Sequence, residues 1–355
     1  MTIFSMRLFT FILLLISFSV TAFVGEINLW SPGFSYTTKP EKVVYRSKPA
    51  KRPWRLCALY PHLKDSYWLS VNYGMVEQSR ESGIQLQVYD AGGYDNYALQ
   101  LEQLRQCASW KADAILLGAV SHDKINERLP ELVGNIPVLG LVNEVSQQNI
   151  AARVGVPWSE MGHNVGLFLA KLSEHRPINV LLLPGPKNRG GTDLTEKSFN
   201  QAIANHNVRV VDIAWGDNDL EVQRNLLQHM LEKHPDINLI AGSAVAIEAA
   251  IPELQLRKLN GKIDLVSFYL SHEVYRGLKR HRVLMANSDQ MVLQGRLSID
   301  QAIRLLQKEP FLADIGPTIL TLTPENISKI QVNLSLSPGD FHPEYQVYST
   351  SAQNK

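Results

Sequence analysis

Two cysteines in 355 residues, Cys57 and Cys107, are too few for a disulfide framework, and neither stands in the CxxC or HxxxH spacing of a metal site. Charge of one sign is also missing. The 35 Lys and Arg balance 34 Asp and Glu, for a formal net charge of +1, and no run of like charges interrupts the mixture. Nucleic acid and anionic membrane surfaces are therefore not the partners this chain is built for. After residue 22 no apolar run approaches the roughly 20 residues of a membrane span, so no membrane insertion is expected. Catalytic and cofactor motifs are equally scarce: there is no GxSxG, no HExxH and no GxGxxG after a strand. The chain reads as a non-enzyme with no metal and no cofactor.

What is present begins with MTIFSMRLFTFILLLISFSVTA. A single early Arg7, an apolar run over 8–20 and the small-residue end Val20-Thr21-Ala22 have the layout of a secretory signal at 1–22, cleaved after Ala22. The mature chain then works where thiols oxidise. Cys57 falls early in the first predicted strand and Cys107 at the end of the second predicted helix, near one edge of one domain. A disulfide between them is geometrically reasonable if the Cα atoms come close enough.

Residues 23–53 show no sustained period and carry two Lys-Pro pairs, which predicts an extended N-terminal arm. From Arg55 short apolar runs alternate with amphipathic stretches: RLCALY, YWLSVNYGMVEQSRES, IQLQVY, NYALQLEQLRQCASW, AILLG, a helix near 124–133, PVLGLV and ARVGV. A second series of the same kind starts at Pro157 and runs to KIDLVSFYL. Alternation of this sort predicts an α/β protein of two Rossmann-like lobes with parallel sheets. A third pass of helix and strand after His281 predicts that the chain returns to the first lobe and crosses again, making a multi-segment hinge. The first lobe is expected over 54–156 and about 287–314, the second over 157–286 and about 315–345.

Large aromatics mark the predicted strand ends, where ligands of parallel sheets sit. They are Tyr67 and Trp68 after the first strand, Tyr94 in DAGGYDNY, Trp158 in GVPW, and Tyr269 in VSFYLS. Ring faces are electron-rich and favour a cation that cannot donate strong hydrogen bonds, notably a methylated ammonium. Stacked rings also bind sugars, but sugars need several polar groups for their hydroxyls, and these loops offer few beyond Asp65 and Ser66. Both of those suit a helix N-cap equally well. The loop PGPKNRGGTD (184–193) lacks the GK[ST] ending of a phosphate loop and reads as a flexible turn ending in Thr192 or Asp193 as N-cap, with glycines that let backbone approach a ligand or partner. Asp217-Asn218-Asp219 reads as helix capping rather than metal ligation.

The alternating chain, the aromatic pair after the first strand and the late helix DQMVLQGRLSIDQAI resemble the type I periplasmic binding proteins, the ribose-binding and LacI-like group. CALYPHLKDSYWLSVNYGM, AGGY, RVGVPW, GDND, VSFYLSHEVYRGLKR, SDQMV and SLSPG are similar to a branch of that family that senses trimethylamine N-oxide. The resemblance covers about residues 54–345. It implies a periplasmic protein that binds trimethylamine N-oxide between two lobes and reports it to the periplasmic domain of a sensor histidine kinase. It also implies a ligand box of Tyr67, Trp68, Tyr94, Trp158 and Tyr269, with Asp65 at its edge. The alternative is a transporter-linked binding protein for a sugar or a methylated amine.

Overall fold

The computed structural model describes residues 23–122 and 124–348. The expected signal segment 1–22 and its cleavage site lie outside the described residues. Among the described residues no helix is long and apolar enough to cross a membrane.

The chain opens with two antiparallel strands, β1 (Val24–Leu29) and β2 (Glu41–Arg46). The first βαβ series follows as β3 (Arg55–Tyr60), α1 (Ser66–Ser82), β4 (Gln85–Asp90), α2 (Tyr97–Ser109), β5 (Ala114–Leu117), α3 (Leu129–Val133), β6 (Val138–Val142) and β7 (Ala152–Gly155). The second runs α4 (Trp158–Leu172), β8 (Ile178–Gly185), α5 (Thr192–Ile203), β9 (Val208–Trp215), α6 (Leu220–Lys233), β10 (Leu239–Gly242), α7 (Ala244–Leu256), β11 (Asp264–Ser267), α8 (His272–Lys279) and β12 (Met285–Ser288). Then come α9 (Met291–Leu306), β13 (Asp314–Gly316), β14 (Leu320–Leu322) and β15 (Gln346–Val347).

These strands form two sheets, in the orders β15-β4-β3-β5-β6-β7-β13-β1-β2 and β14-β12-β11-β10-β8-β9. The inner pairings are parallel, as buried, continuously apolar strands require, and antiparallel pairs occur only toward the edges. The chain passes between the sheets after β7, after β12 and between β13 and β14, then returns to the first sheet for β15.

The segment 23–53 is not a free arm. β1 pairs with β13 and β2 closes that edge, because Ile27 and Tyr45 bury themselves with Val154, Leu297 and Ile315. The segment 315–345, expected on the second lobe, divides between the two. β14 joins the second sheet, but the Ser337 N–H donates to Ser70 Oγ and the Glu344 N–H to Asn72 Oδ1 on α1, which binds the tail to the first lobe. The stretch near 124–133 holds only a 3-10 turn at Asn126–Arg128 and the short α3.

Asp65 caps α1 by accepting the Trp68 N–H at 3.0 Å, and Gly83 ends the helix in the left-handed conformation that closes its last carbonyls. Helix α9 crosses α1 at Gly74 and Gly295, where a Cβ would lie 2.1 Å from Val292 O and 2.3 Å from Val71 O. That close crossing seats α9 in the first lobe although it follows a strand of the second.

Cys57 on β3 and Cys107 on α2 are disulfide-bonded, with Cα atoms 5.8 Å apart and a sequence separation of 50. Closing a loop of that length restricts the unfolded chain. Replacing both cysteines by alanine is expected to cost about 2–4 kcal/mol of unfolding free energy, read as a lower urea midpoint.

Candidate ligand site between the lobes

The site lies where both sheets present the carboxyl ends of their strands. Asp65, Tyr67 and Trp68 open α1 just beyond β3, and Tyr94 follows β4; from the other side come Trp158 at the first position of α4 and Tyr269 beyond β11. All six expected residues line one cavity. Tyr67 stands at its centre, with ring centroids 5.8 Å from Trp68, 6.1 Å from Trp158 and 5.2 Å from Tyr269. Trp158 and Tyr269 meet edge to face at 6.2 Å. Every one of these five aromatic residues is at most 7% exposed.

Space inside is limited. The volume open to the centre of a water-sized sphere is about 20 Å³. One water needs roughly 10–15 Å³ by that measure, so in this arrangement of the lobes the cavity suits a compact molecule.

Hydrogen bonding decides what the rings can offer. The Tyr67 hydroxyl donates to Asp289 Oδ2 at 2.5 Å, and Trp158 Nε1 donates to Val142 O at 3.3 Å, so neither proton is free for a ligand. The Tyr94 hydroxyl lies 3.4 Å from Asn143 Oδ1, to which it donates, and 3.3 Å from Asn143 Nδ2, from which it accepts. At such lengths the contact is weak, and the phenol can turn its proton from Asn143 to an acceptor in the cavity. Burial pushes the Tyr94, Tyr67 and Tyr269 hydroxyls above their ordinary value, so all three are neutral donors at physiological pH. Burial also raises Asp65, against the pull of His62 and of the Trp68 and Tyr67 N–H groups.

The glycine loop of 184–193 packs on the rings themselves. A Cβ on Gly190 would lie 2.8 Å from the Tyr94 hydroxyl oxygen, and one on Gly191 would lie 2.3 Å from Trp158 Cγ; both residues have positive φ. Backbone of the second lobe thus lies against an aromatic of the first. Helix α5 starts at Thr192 with Gly191 in the N-cap position and no side-chain cap, so neither Thr192 nor Asp193 serves as its cap. In the GDND stretch Asp219 caps α6, while Asn218 lines the cavity with its Oδ1 unpartnered among the described residues.

Asn143, Asn218 and Arg189 also line the cavity and were not foreseen. Asn143 directly follows β6, so the rule that found the aromatics applies to it too. Asn218 was hidden by its capping neighbours. Ion pairs cross the lobes beside the site, Arg189 to Asp95 at 3.5 Å and Lys64 to Asp217 at 3.8 Å, both largely solvated and worth little individually.

Glu144, next to Asn143, is pushed up to about 7, chiefly by burial, with Arg153 pulling it down and Asp193 of the opposite lobe pushing it up. Below its unfolded value near 4.5 the carboxyl is protonated in both states. Between that pH and 7 the folded state holds a proton the unfolded chain has released, so stability falls as pH rises. Thermal melts are expected to drop from pH 5 to pH 7.5, and Glu144→Gln to flatten that slope.

Similarity to known proteins follows the same lines. Residues 53–316 match the family model of periplasmic binding proteins and the sugar-binding domain of the LacI family. The chain belongs to the periplasmic binding protein family. It is 49% identical over 353 residues to the periplasmic protein TorT of Escherichia coli, covering 99% of this chain and all of that one. It superposes on a crystal structure of the TorS sensor domain–TorT complex in the presence of TMAO with a TM-score of 0.76 at 43% identity, over 82% of this chain and 99% of the other. A transporter solute-binding protein from Bradyrhizobium with bound bis-tris gives a TM-score of 0.77 at 35% identity, over 90% and 97% of the two chains. The chain is a TorT homologue of the periplasm.

Proposed function

We propose that the chain binds trimethylamine N-oxide (TMAO) in the aromatic cavity between its lobes and signals occupancy to the periplasmic sensor domain of a TorS-type histidine kinase, acting by binding and not by catalysis. The observation that carries the reading is a small cavity walled by five aromatics, in which the Tyr94 hydroxyl is held by long contacts to Asn143. TMAO has three methyl groups on a formally positive nitrogen and one strongly accepting oxygen. Ring faces of Tyr67, Trp68, Trp158 and Tyr269 suit the methyls, each contact worth about 0.5–2 kcal/mol when desolvated. The Tyr94 O–H suits the oxygen, and Asp65 closes the edge.

A relative crystallised with the TorS sensor domain and TMAO supports the ligand and the partner together. The Bradyrhizobium relative, which held a bulky tertiary amine, keeps the transporter alternative in view. The two differ in what occupancy is coupled to. A ligand touching rings of both lobes favours the closed arrangement, and a partner seated across both lobes senses that shift through its own preference. Linkage then requires the partner to change TMAO affinity in return. Calorimetric titration of TMAO into the chain, alone and saturated with the sensor domain, is expected to give different dissociation constants; equal values would remove the coupling.

A further inference from the structure

Tyr67 is the ring that the box shares, and its hydroxyl points away from the ligand. It donates to Asp289, which is fully buried and not among the cavity-lining residues. Asp289 stands between β12 and α9, where the chain crosses from the second lobe to the first. Gln294 Nε2 donates to the same Oδ2 at 2.8 Å, and Oδ1 has no partner among the described residues. Among them no Lys, Arg or His pairs with Asp289 either. Burial raises this carboxyl, while the donors Tyr67 and Gln294 favour its ionised form.

A buried carboxylate without a cation is costly, and helix capping does not account for it: the residue at the α9 N-cap is Gln290, with positive φ. Its one strong contact with the site is the phenol. A phenol that donates to a carboxylate shifts electron density into its ring, and in a low-dielectric surrounding that polarisation is not screened. The ring face becomes more negative, and a cationic centre in front of it is held more strongly.

We propose that Asp289 is a specificity-determining residue of the site, acting through the Tyr67 hydroxyl to make the box prefer a positively charged centre over a neutral molecule of the same shape. This rests on the reading that the cavity binds TMAO. The carboxylate is a positioning and polarising group, not a ligand contact.

The test compares TMAO with tert-butanol, its neutral counterpart of the same shape, by calorimetry on the full chain and on Asp289→Asn, which keeps an acceptor for the Tyr67 proton. The preference for TMAO over tert-butanol is expected to fall about tenfold in the variant, with tert-butanol affinity changed little. Tyr67→Phe removes the route from carboxylate to ring and is expected to lower the same preference, which keeps the test open if Asp289→Asn folds poorly. A loss shared equally by both molecules in these variants means a structural role alone and overturns the proposal. Failure of the unaltered chain to bind either molecule overturns the TMAO reading and the proposal with it.

Discussion

Asp314→Ala is expected to destabilise the chain by about 3–5 kcal/mol, the cost of leaving a buried charge without its partner. Arg153 on β7 and Asp314 on β13 face each other across a parallel pairing, with Nε to Oδ1 at 2.9 Å and a second nitrogen to Oδ2 at 2.6 Å. Their side chains are 2% and 0% exposed. The Phe34 N–H donates to the same carboxylate at 2.7 Å, and the Tyr36 ring covers the guanidinium at 4.1 Å. The loop between β1 and β2 therefore seals the pair, and losing Asp314 loosens that loop and the edge it covers.

Two further outcomes separate this account from a simple packing defect. Replacing both charges by apolar residues of similar volume, as in Arg153→Met with Asp314→Leu, should recover much of the loss, because no lone charge remains. Asp314 also helps to hold the Glu144 carboxyl up, so Asp314→Ala should weaken the fall of stability between pH 5 and pH 7.5. Urea unfolding across that pH range reads both.

Trp158→Ala is expected to lower TMAO affinity by at least about thirtyfold, roughly 2 kcal/mol, the upper end of one desolvated ring contact. The indole does three things at once. It walls the ligand beside Tyr67 and Tyr269, it donates to Val142 O of the first lobe, and it carries the backbone of Gly191. Trp158→Phe keeps a ring and loses the Nε1 bond, so it should retain most of the affinity. Removing the indole also enlarges the cavity, and Trp158→Ala should bind glycine betaine better relative to TMAO than the unaltered chain does. Calorimetry with the two ligands on the two variants measures this, with melting curves to show that both are folded.

Much of the architecture was legible because its signals are local. Apolar runs such as INVLLLPG and spaced leucines such as Leu227 and Leu231 announce buried strands and amphipathic helices whatever surrounds them. The aromatics were legible because parallel sheets present their ligands at strand ends, so position in the series stood in for geometry. What escaped depends on partners far along the chain. Ile27 and Tyr45 find their core in residues near 154, 297 and 315, so residues 23–53 on their own read as an arm. Asp289 has no local signal, since nothing in SDQMV shows that the Tyr67 hydroxyl will reach it from 222 positions away. The glycines of 184–193 signalled close approach, but not that the neighbours would be Tyr94 and Trp158.

The measurement that bears most directly on the account is isothermal titration of the purified chain with TMAO, glycine betaine and ribose. The cavity predicts saturable, stoichiometric TMAO binding, weaker betaine binding because its carboxylate exceeds the space, and no binding of ribose. Binding of ribose with none of TMAO would contradict the central claim and return the protein to the sugar-binding members of its family.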